Sequence, residues 1–225
     1  MQSIALQKQA FQKYEANQWF ARNKALLNTF KGETDIVSSI ITQYRINPIR
    51  ILEIGSSAGY RLNYLKSLFP SALVVGIDPS TDAVQEGTKL YPNIELHVAT
   101  ADDLSIFEDG FFDLVIIGFV FYVIDRSLLL KVVGEIDRVL GDKGLLINTD
   151  FFSEKAIKNK YQHISEFEAF SFKQRYENIF LASEIYHLIH KASFSHNDLL
   201  HNATDDYFNK CSTTVLKKDV SAAYK

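Results

Sequence analysis

A strand-to-helix turn built from small residues is the first place where this sequence indicates ligand binding. The stretch ILEIGSSAGYRLNYL, residues 51–65, begins with an apolar run containing Glu53 and continues through Gly55, Ser57 and Gly59 into a helical pattern. Small residues let a ligand approach the backbone closely, and the first amides of the following helix offer hydrogen-bond donors. The spacing of the small residues decides which ligand fits.

This spacing argues against two common nucleotide-binding turns. A phosphate-binding P-loop requires lysine and then serine or threonine after its second glycine, but Tyr60 and Arg61 follow Gly59. A dinucleotide fingerprint has the pattern G-x-G-x-x-G, whereas Ser57 and Tyr60 take the two later glycine positions after Gly55. A nicotinamide-dependent oxidoreductase is therefore the less favoured alternative.

A second carboxylate follows the next apolar run. The segment VVGIDPS places Asp78 and Pro79 about 20 residues after the glycine turn, where a carboxylate can accept both hydroxyls of a ribose. Because the carboxyl ends of parallel strands meet at one edge of a sheet, we expect Glu53 and Asp78 to share a site. Each carboxylate could instead cap a neighbouring helix, and the glycines could serve helix packing alone.

The ordered set of motifs resembles the class I S-adenosylmethionine-dependent methyltransferases. Glu53, Gly55, Ser57 and Gly59 are similar to that family's motif E/D-x-G-x-G-x-G, with a serine at the middle glycine. An acid at this turn suits the ammonium group of the cofactor. The resemblance covers roughly residues 49–151, and it implies S-adenosylmethionine as cofactor, S-adenosylhomocysteine as product and a Rossmann-like methyltransferase fold.

Two later stretches extend the resemblance. ATADDLSIFEDGFFDLVI is similar to the family's adenine-binding stretch, which implies contacts from Ala101 and Asp102, although Thr100 stands where many members carry an acid. GFVFYVIDR resembles a segment of small-molecule members, which implies that Gly118 lies beside the cofactor and that Tyr122 faces the active site. A core position for Tyr122 is the alternative. WFARNK, GFVFYVIDR and RYENIFLASEIYHLI also resemble a bacterial subgroup of type-11 methyltransferases.

The choice of catalytic residues depends on the acceptor. Methyl transfer from a sulfonium needs alignment and water exclusion, and it needs a general base only when the acceptor must lose a proton. The aromatic-rich stretch KYQHISEFEAFSFKQRYENIF makes His163 the first choice for that base, with Asp150 second and Tyr122 as a pocket wall or hydrogen-bond donor. A structural role for His163 is the alternative.

An N-terminal helix supplies a further hypothesis. NQWFARNK places Trp19, Arg22 and Asn23 where they could share a helix face. Many relatives lay such a helix over the cofactor, so we predict that Arg22 binds the methionyl carboxylate and that Trp19 shields the methyl group. A core tryptophan with a solvated arginine is the alternative.

The elements that must position these residues follow an α/β rhythm. The apolar runs IRILEI, LVVGI, IELHV, FDLVIIGF and GLLINTDF alternate with helical patterns over Gly59–Leu68, Thr81–Leu90 and Ser127–Leu140. Such strands are buried on both faces, which predicts a doubly wound, mostly parallel sheet. Helices precede the sheet, with Thr34 or Asp35 capping the second of them, and an aromatic-rich helical cap follows it.

These patterns predict one domain over residues 1–225. Residues 1–48 form an N-terminal helical lid and residues 49–152 the cofactor-binding core. Residues 153–206 form a substrate cap, and residues 207–225 a final strand, YFNKCSTTVL, with a polar tail.

Composition excludes several classes of partner. A net charge of -3 indicates neither a nucleic acid nor a membrane as partner, and the chain lacks the N/D/S-P-P-Y/F motif common in base-modifying methyltransferases. The start of the chain is too polar for a signal peptide, and the lone Cys211 excludes an internal disulfide, so we predict a cytoplasmic protein. A monomer and a homodimer both remain open.

Four histidines near the C-terminal end raise the question of a metal: His187, His190, His196 and His201. The first two have i, i+3 spacing but no acidic partner in register, so no metal site is predicted.

The predicted function is S-adenosylmethionine-dependent methyl transfer to an oxygen or nitrogen of a small molecule, such as a sugar-derived or secondary metabolite. A non-catalytic relative that binds the cofactor or its product is the main alternative.

Overall fold

A computed structural model describes residues 6–165, 168–196 and 208–224. Its strands are β1 Arg50–Ile54, β2 Leu73–Asp78, β3 Glu95–Val98, β4 Phe112–Gly118, β5 Leu140–Phe151, β6 Ile157–Lys160, β7 Phe170–Lys173, β8 Tyr186–Ser195 and β9 Lys210–Lys218. In these ranges a 7-stranded sheet has the order β3-β2-β1-β4-β5-β9-β8, and β6 and β7 pair separately.

The α-helices are α1 Leu6–Ala10, α2 Ala16–Leu27, α3 Ile36–Gln43, α4 Tyr60–Leu68, α5 Thr81–Leu90, α6 Leu129–Val139 and α7 Glu177–Leu181. A π-helix, Phe11–Glu15, joins α1 to α2, and short 3-10 helices lie at Gly32–Thr34 and Phe121–Val123. None of the helices in the described ranges combines the length and the apolar character that crossing a bilayer requires.

The sheet confirms the predicted doubly wound arrangement. Strand β1 pairs in parallel with β2 on one side and with β4 on the other, so that Ile51 lies between Val74 and Leu114. Strands β3 and β5 extend the parallel part, and β9 and β8 add two antiparallel strands beyond β5. The carboxyl ends of β1 to β5 therefore lie along one edge of the sheet.

The two faces of the sheet carry separate apolar layers. Successive side chains of a strand point to opposite faces, and Leu52 and Val75 pack in one buried cluster while Ile51 and Val74 pack in the other. Burial of each such side chain stabilises the fold by about 1.5–3 kcal/mol. This two-sided burial explains why the strand sequences are apolar without polar alternation.

The N-terminal helices lie where the sequence predicts them. Ala10 and Phe20 are buried, so this segment packs against the rest of the chain. Of the two residues proposed to cap α3, Asp35 is the cap, since its carboxylate accepts a hydrogen bond of 2.9 Å from the amide of Ser38. This part of the prediction is confirmed.

The predicted helical cap after β5 is wrong in its secondary structure. In the described part of residues 153–206, only the short α7 is α-helical, whereas β6 and β7 form a small antiparallel sheet and β8 joins the edge of the main sheet. Aromatic and β-branched side chains favour strands when a partner strand is available, and β9 supplies that partner from farther along the chain. The local spacing of aromatics could not reveal this pairing.

Candidate functional site

The glycine turn between β1 and α4 has three residues in the left-handed region: φ is 77° at Gly55, 51° at Ser57 and 80° at Gly59. Glycine adopts this conformation without steric strain, whereas serine does so at some expense. A side chain at residue 55 would also collide with Val120, because a Cβ there would lie 2.4 Å from its Cγ2. The serine in the motif therefore keeps the backbone shape of the glycine that it replaces.

Asp78 closes the turn from the end of β2. Its Oδ2 accepts a hydrogen bond of 2.8 Å from the amide of Ser57, and its Oδ1 accepts one of 2.8 Å from the amide of Ser80. Burial raises the pKa of Asp78 to about 6, and the two amide bonds act against this rise. An ionised carboxylate has about four acceptor sites, so two remain for a ligand.

Glu53 is held by Arg61, an arginine that is not among the predicted site residues. The Arg61 guanidinium donates to Oε1 of Glu53 and forms a bidentate pair with Asp35, with both nitrogen–oxygen distances at 2.9 Å. Burial raises the pKa of Glu53, although the charge of Arg61 opposes the shift. In Asp35, burial acts to raise the pKa, but the charge and hydrogen bonds of Arg61, together with hydrogen bonds from Ser38, outweigh it and lower the pKa.

A cavity of about 370 Å³ lies above the carboxyl edge of the sheet. Most residues predicted to bind the cofactor line it: Trp19, Glu53, Gly55, Ser57, Asp78, Pro79, Ala101, Asp102 and Gly118. Tyr122 also lines it. Gly59, Arg22, His163 and Asp150 do not.

Gly59 lies behind the turn and not at the cavity wall. A Cβ at this residue would lie 2.6 Å from Cδ1 of Ile94, so the glycine permits close packing between the start of α4 and the core. The structure thus favours the helix-packing interpretation for Gly59.

Asp102 lies beside the N-terminal helix. Nζ of Lys8 lies 2.8 Å from Oδ2 of Asp102, and Lys131 approaches the same oxygen at 3.4 Å. Burial acts to raise the pKa of Asp102, but hydrogen bonds from Lys8 and Thr100 outweigh it and lower the pKa. Asp102 therefore stays ionised near neutral pH and anchors the lid.

The N-terminal segment crosses the cavity and is fastened at both ends. Nε2 of Gln7 donates to the carbonyl oxygens of Val123 and Phe170, at 2.6 and 2.8 Å. Oδ1 of Asn17 accepts a hydrogen bond of 2.8 Å from the Ser80 hydroxyl. Trp19, two residues after the second anchor, lies in the cavity wall.

The prediction for Arg22 does not agree with its position. Nη2 of Arg22 lies 2.6 Å from Oε1 of Glu15, a carboxylate whose side chain is 0% exposed, and the Tyr161 hydroxyl donates to the same oxygen at 2.8 Å. Glu15 is the last residue of the π-helix Phe11–Glu15, where its side chain is buried, and Arg22 forms an ion pair with it. This pairing, which spans 7 residues, keeps the guanidinium away from the cavity.

Neither predicted base lines the cavity. His163 is exposed, and its ring packs against Tyr161 with centroids 5.4 Å apart. Asp150 is buried, where it accepts hydrogen bonds from the amides of Tyr122 and Phe151 at 3.3 and 2.7 Å. Burial raises the pKa of Asp150 to about 7. These hydrogen bonds indicate that Asp150 holds the backbone of Tyr122 and Phe151 in place.

Three aromatic residues outside the predicted site line the cavity: Phe119, Phe151 and His196. They follow or end β4, β5 and β8, which are neighbours or near neighbours in the sheet. Phe119 directly follows Gly118, so its position at a strand end was available in the sequence. His196 gave no such signal, because its strand joins the sheet only through β9.

The described histidines near the C-terminal end do not form a cluster. Nδ1 of His190 lies 3.0 Å from the Tyr44 hydroxyl, and His187 lies on β8. Among the residues that the structure describes, no cluster of histidine, cysteine, aspartate or glutamate could hold a metal ion. His201 lies outside those residues.

The sequence of the core also matches a known family. The family model described as "Methyltransferase domain" matches residues 51–144. Residues 51–144 therefore match a methyltransferase domain, and the fold is that of S-adenosylmethionine-dependent methyltransferases. The matched segment includes the glycine turn, Asp78 and Gly118, which all lie at the cavity. No curated protein matches the chain.

Solved structures share the fold of this methyltransferase domain. The 1,6-didemethyltoxoflavin-N1-methyltransferase of Burkholderia thailandensis, solved with 1,6-didemethyltoxoflavin and S-adenosylhomocysteine, has a TM-score of 0.70 at 9% identity, covering 97% of this chain and 92% of that chain. A chain from a complex containing the Haloferax volcanii Trm112 methyltransferase activator has a TM-score of 0.67 at 19% identity, covering 91% and 96%. A SAM-dependent methyltransferase of Methanosarcina mazei has a TM-score of 0.63 at 18% identity, covering 80% of this chain and 97% of that chain.

The cavity of the methyltransferase domain fits its cofactor. Oε2 of Glu53 and Oγ of Ser57 are buried without a hydrogen-bond partner in the described part of the chain, and both residues line the cavity. Buried polar atoms are normally hydrogen-bonded, so a polar ligand is expected beside them. The predicted cofactor, S-adenosylmethionine, agrees with the matched methyltransferase domain, and the structure of the Burkholderia neighbour holds S-adenosylhomocysteine.

Proposed function

We propose that the chain catalyses methyl transfer from S-adenosylmethionine to an oxygen or nitrogen atom of a small molecule. The main support for this proposal is that one cavity has a polar part and an aromatic part. Glu53, Ser57 and Asp78 lie at the ends of β1 and β2, while Phe119 and Phe151 lie at the ends of β4 and β5. The order of the strands separates the two parts along one edge.

The polar part suits the cofactor. Asp78 offers two remaining acceptor sites for the ribose hydroxyls, and Oε2 of Glu53 offers an acceptor for the ammonium group. Arg61, which also lines the cavity, holds the other oxygen of the Glu53 carboxylate. Asp102 and Ala101 lie beyond Asp78, on the side where we place the adenine.

The aromatic part suits a small acceptor. When bound, S-adenosylmethionine supplies a methyl group on a positively charged sulfur, and the protein must align the acceptor with it and exclude water. Phe11 and Trp19 cover the cavity from the lid, and Phe119, Tyr122 and Phe151 wall it from the sheet. The Burkholderia relative, whose structure holds a small-molecule acceptor beside S-adenosylhomocysteine, supports this arrangement.

Calorimetric titration with S-adenosylhomocysteine, run in parallel with NAD, tests the proposal. We expect saturable binding of S-adenosylhomocysteine alone, weakened by Asp78→Ala. Asp82→Ala is a matched control, because Asp82 is an exposed carboxylate on the adjacent helix α5 and does not line the cavity. Binding of NAD without S-adenosylhomocysteine would contradict the proposal.

A panel screen for methylated products separates an enzyme from a non-catalytic binder. The chain is incubated with S-adenosylmethionine and small acceptors, and release of S-adenosylhomocysteine is measured by mass spectrometry. Release that depends on both the acceptor and Asp78 supports catalysis. Tight binding without release for any acceptor would favour the non-catalytic alternative.

A further inference from the structure

Three rings form a compact cluster in the aromatic part of the cavity. The centroid of Phe119 lies 5.3 Å from that of Phe151 and 5.0 Å from that of His196, and Phe151 lies 5.3 Å from His196. Tyr122 adds a fourth ring 5.0 Å from Phe151. Phe119 meets both of its neighbours edge-to-face, Phe151 and His196 are tilted to each other, and rings in such arrangements present both apolar faces and polar edges to a flat ligand.

Phe119 is held in an unfavourable backbone conformation at this place. Its φ is 54°, in the left-handed region that bulky residues rarely adopt. A hydrogen bond of 2.8 Å from its amide to the carbonyl of Thr149 on β5 fixes this turn. Strain of this kind collects at functional sites, where the surrounding structure holds a side chain in a required direction.

His196 brings a titratable group to the same cluster. Its amide donates to the carbonyl of Asn209 at 2.8 Å, so pairing with the residue before β9 holds the end of β8 in place. His196 is an exposed residue, but partial loss of hydration beside the two phenylalanines lowers its pKa, and the positive charge of Lys173 on β7 lowers it further. The imidazole is therefore neutral at pH 7 and keeps a nitrogen lone pair.

Other titratable groups near the aromatic part are less suitable as bases. Burial raises the pKa of Tyr122, so its hydroxyl stays protonated and can only orient a ligand. Asp150 lies beneath the cavity wall and is occupied by backbone amides. His163 lies outside the cavity.

We propose that Phe119, Phe151 and His196 bind a flat aromatic acceptor that carries a hydroxyl group, and that His196 accepts the hydroxyl proton during methyl transfer. This inference rests on the proposed function and specifies its acceptor. The hydroxyl oxygen forms a bond to the methyl carbon while the carbon–sulfur bond breaks. The bonding electron pair stays on sulfur, which becomes neutral, and the proton moves to the free ring nitrogen of His196.

A fluorescent aromatic alcohol, 2-naphthol, probes this site directly. It is titrated into the protein saturated with S-adenosylhomocysteine, and its emission is followed. We expect saturable binding that Phe119→Gly weakens by about tenfold through loss of the ring. Glycine is chosen because it also relieves the left-handed strain, and binding of S-adenosylhomocysteine by the variant shows that it is folded. His97→Gln, an exposed histidine on β3 that does not line the cavity, should leave binding unchanged.

The pH dependence tests the role of His196. In the parent protein, 2-naphthol affinity should fall as the pH drops through the lowered pKa of His196, because a protonated imidazole accepts no hydrogen bond. In His196→Gln the amide oxygen still accepts a hydrogen bond, so affinity at neutral pH should stay within about threefold and lose this pH dependence. When methylation of 2-naphthol is measured by mass spectrometry, His196→Gln should have a lower kcat than the parent protein and nearly the same KM.

Two outcomes would overturn the inference. One is absence of 2-naphthol binding, or equal binding by Phe119→Gly, in protein that binds S-adenosylhomocysteine; the proposed function would then stand without this acceptor. The other is an unchanged kcat and pH profile in His196→Gln, which would leave His196 without a role in proton transfer. Failure of S-adenosylhomocysteine itself to bind would instead contradict the proposed function.

Discussion

Asp78 allows a quantitative test of the cofactor site through pH. Its pKa is raised to about 6 by burial, and both of its oxygens already accept amide hydrogen bonds. Only the ionised carboxylate can also accept hydrogen bonds from both ribose hydroxyls. With a pKa of about 6, the ionised share of Asp78 falls from roughly nine-tenths at pH 7 to one-tenth at pH 5. Affinity for S-adenosylhomocysteine should therefore fall about tenfold over this interval, or about 1.4 kcal/mol.

The perturbation is Asp78→Asn, which keeps the shape of the side chain but has one acceptor oxygen and no charge. Loss of a hydrogen bond to a charged group should weaken binding at pH 7 by about 1.5–3 kcal/mol, and the tenfold pH dependence should disappear. If the affinity of the variant still depends on pH, we attribute that dependence to Glu53, because burial also raises the pKa of Glu53.

Calorimetry from pH 5 to pH 8 gives the affinities, and buffers with different ionisation enthalpies count the protons. Near pH 6 the parent protein should release about half a proton per ligand bound, because half of Asp78 is protonated before binding and ionised after it. Thermal melting checks that the variant folds. Equal pH profiles for the parent and Asp78→Asn, or no proton release, would refute the assignment of Asp78 to the ribose.

Three further predictions concern stability. Ser57→Gly should raise the free energy of unfolding by roughly 1 kcal/mol in thermal or chemical denaturation, since φ is 51° there; a destabilised variant would argue against strain at the turn. Gly87→Ala should lower the melting temperature, because a Cβ would lie 2.3 Å from the carbonyl oxygen of Ala58; an unchanged melt would contradict this packing. Burial raises the pKa of Asp150 from 3.8 to about 7, so its contribution to stability is complete below 3.8 and is lost as pH rises to about 7. As the pH rises across that window, the free energy of unfolding of the parent protein should therefore fall relative to that of Asp150→Asn, by at most about 4 kcal/mol. Denaturation curves measure this difference, and a difference that stays constant with pH would show that Asp150 does not titrate.

Local patterns in the sequence were sufficient for the core of the fold. Apolar runs and helical periodicity predicted β1 to β5 and the helices between them, because hydrogen bonding within an element and burial of its faces depend on residues close in the chain. The predicted helix over Thr81–Leu90 has those same bounds in the structure. The glycine turn and Asp78 were predicted for the same reason, since strand ends at one edge of a parallel sheet form a shared site.

Distant pairings were not accessible in this way. His163 lies in an aromatic-rich stretch, but the tertiary structure leaves it outside the cavity and brings His196 to Phe119 instead, through the pairing of β8 with β9. Arg22 likewise follows Trp19 on the lid, but the inward turn of Glu15 directs it away from the cavity.

The sequence by itself therefore determined that this chain forms a doubly wound sheet with small residues and carboxylates at the ends of its first strands, because these features arise from short-range periodicity. Only the tertiary structure decided which arginine supports Glu53 and which histidine faces the aromatic part of the cavity. Arg61 reaches Glu53 across a turn that must first form, and His196 is placed by a strand whose partner is later in the chain. Such contacts depend on how elements pack together, and no local spacing encodes that packing.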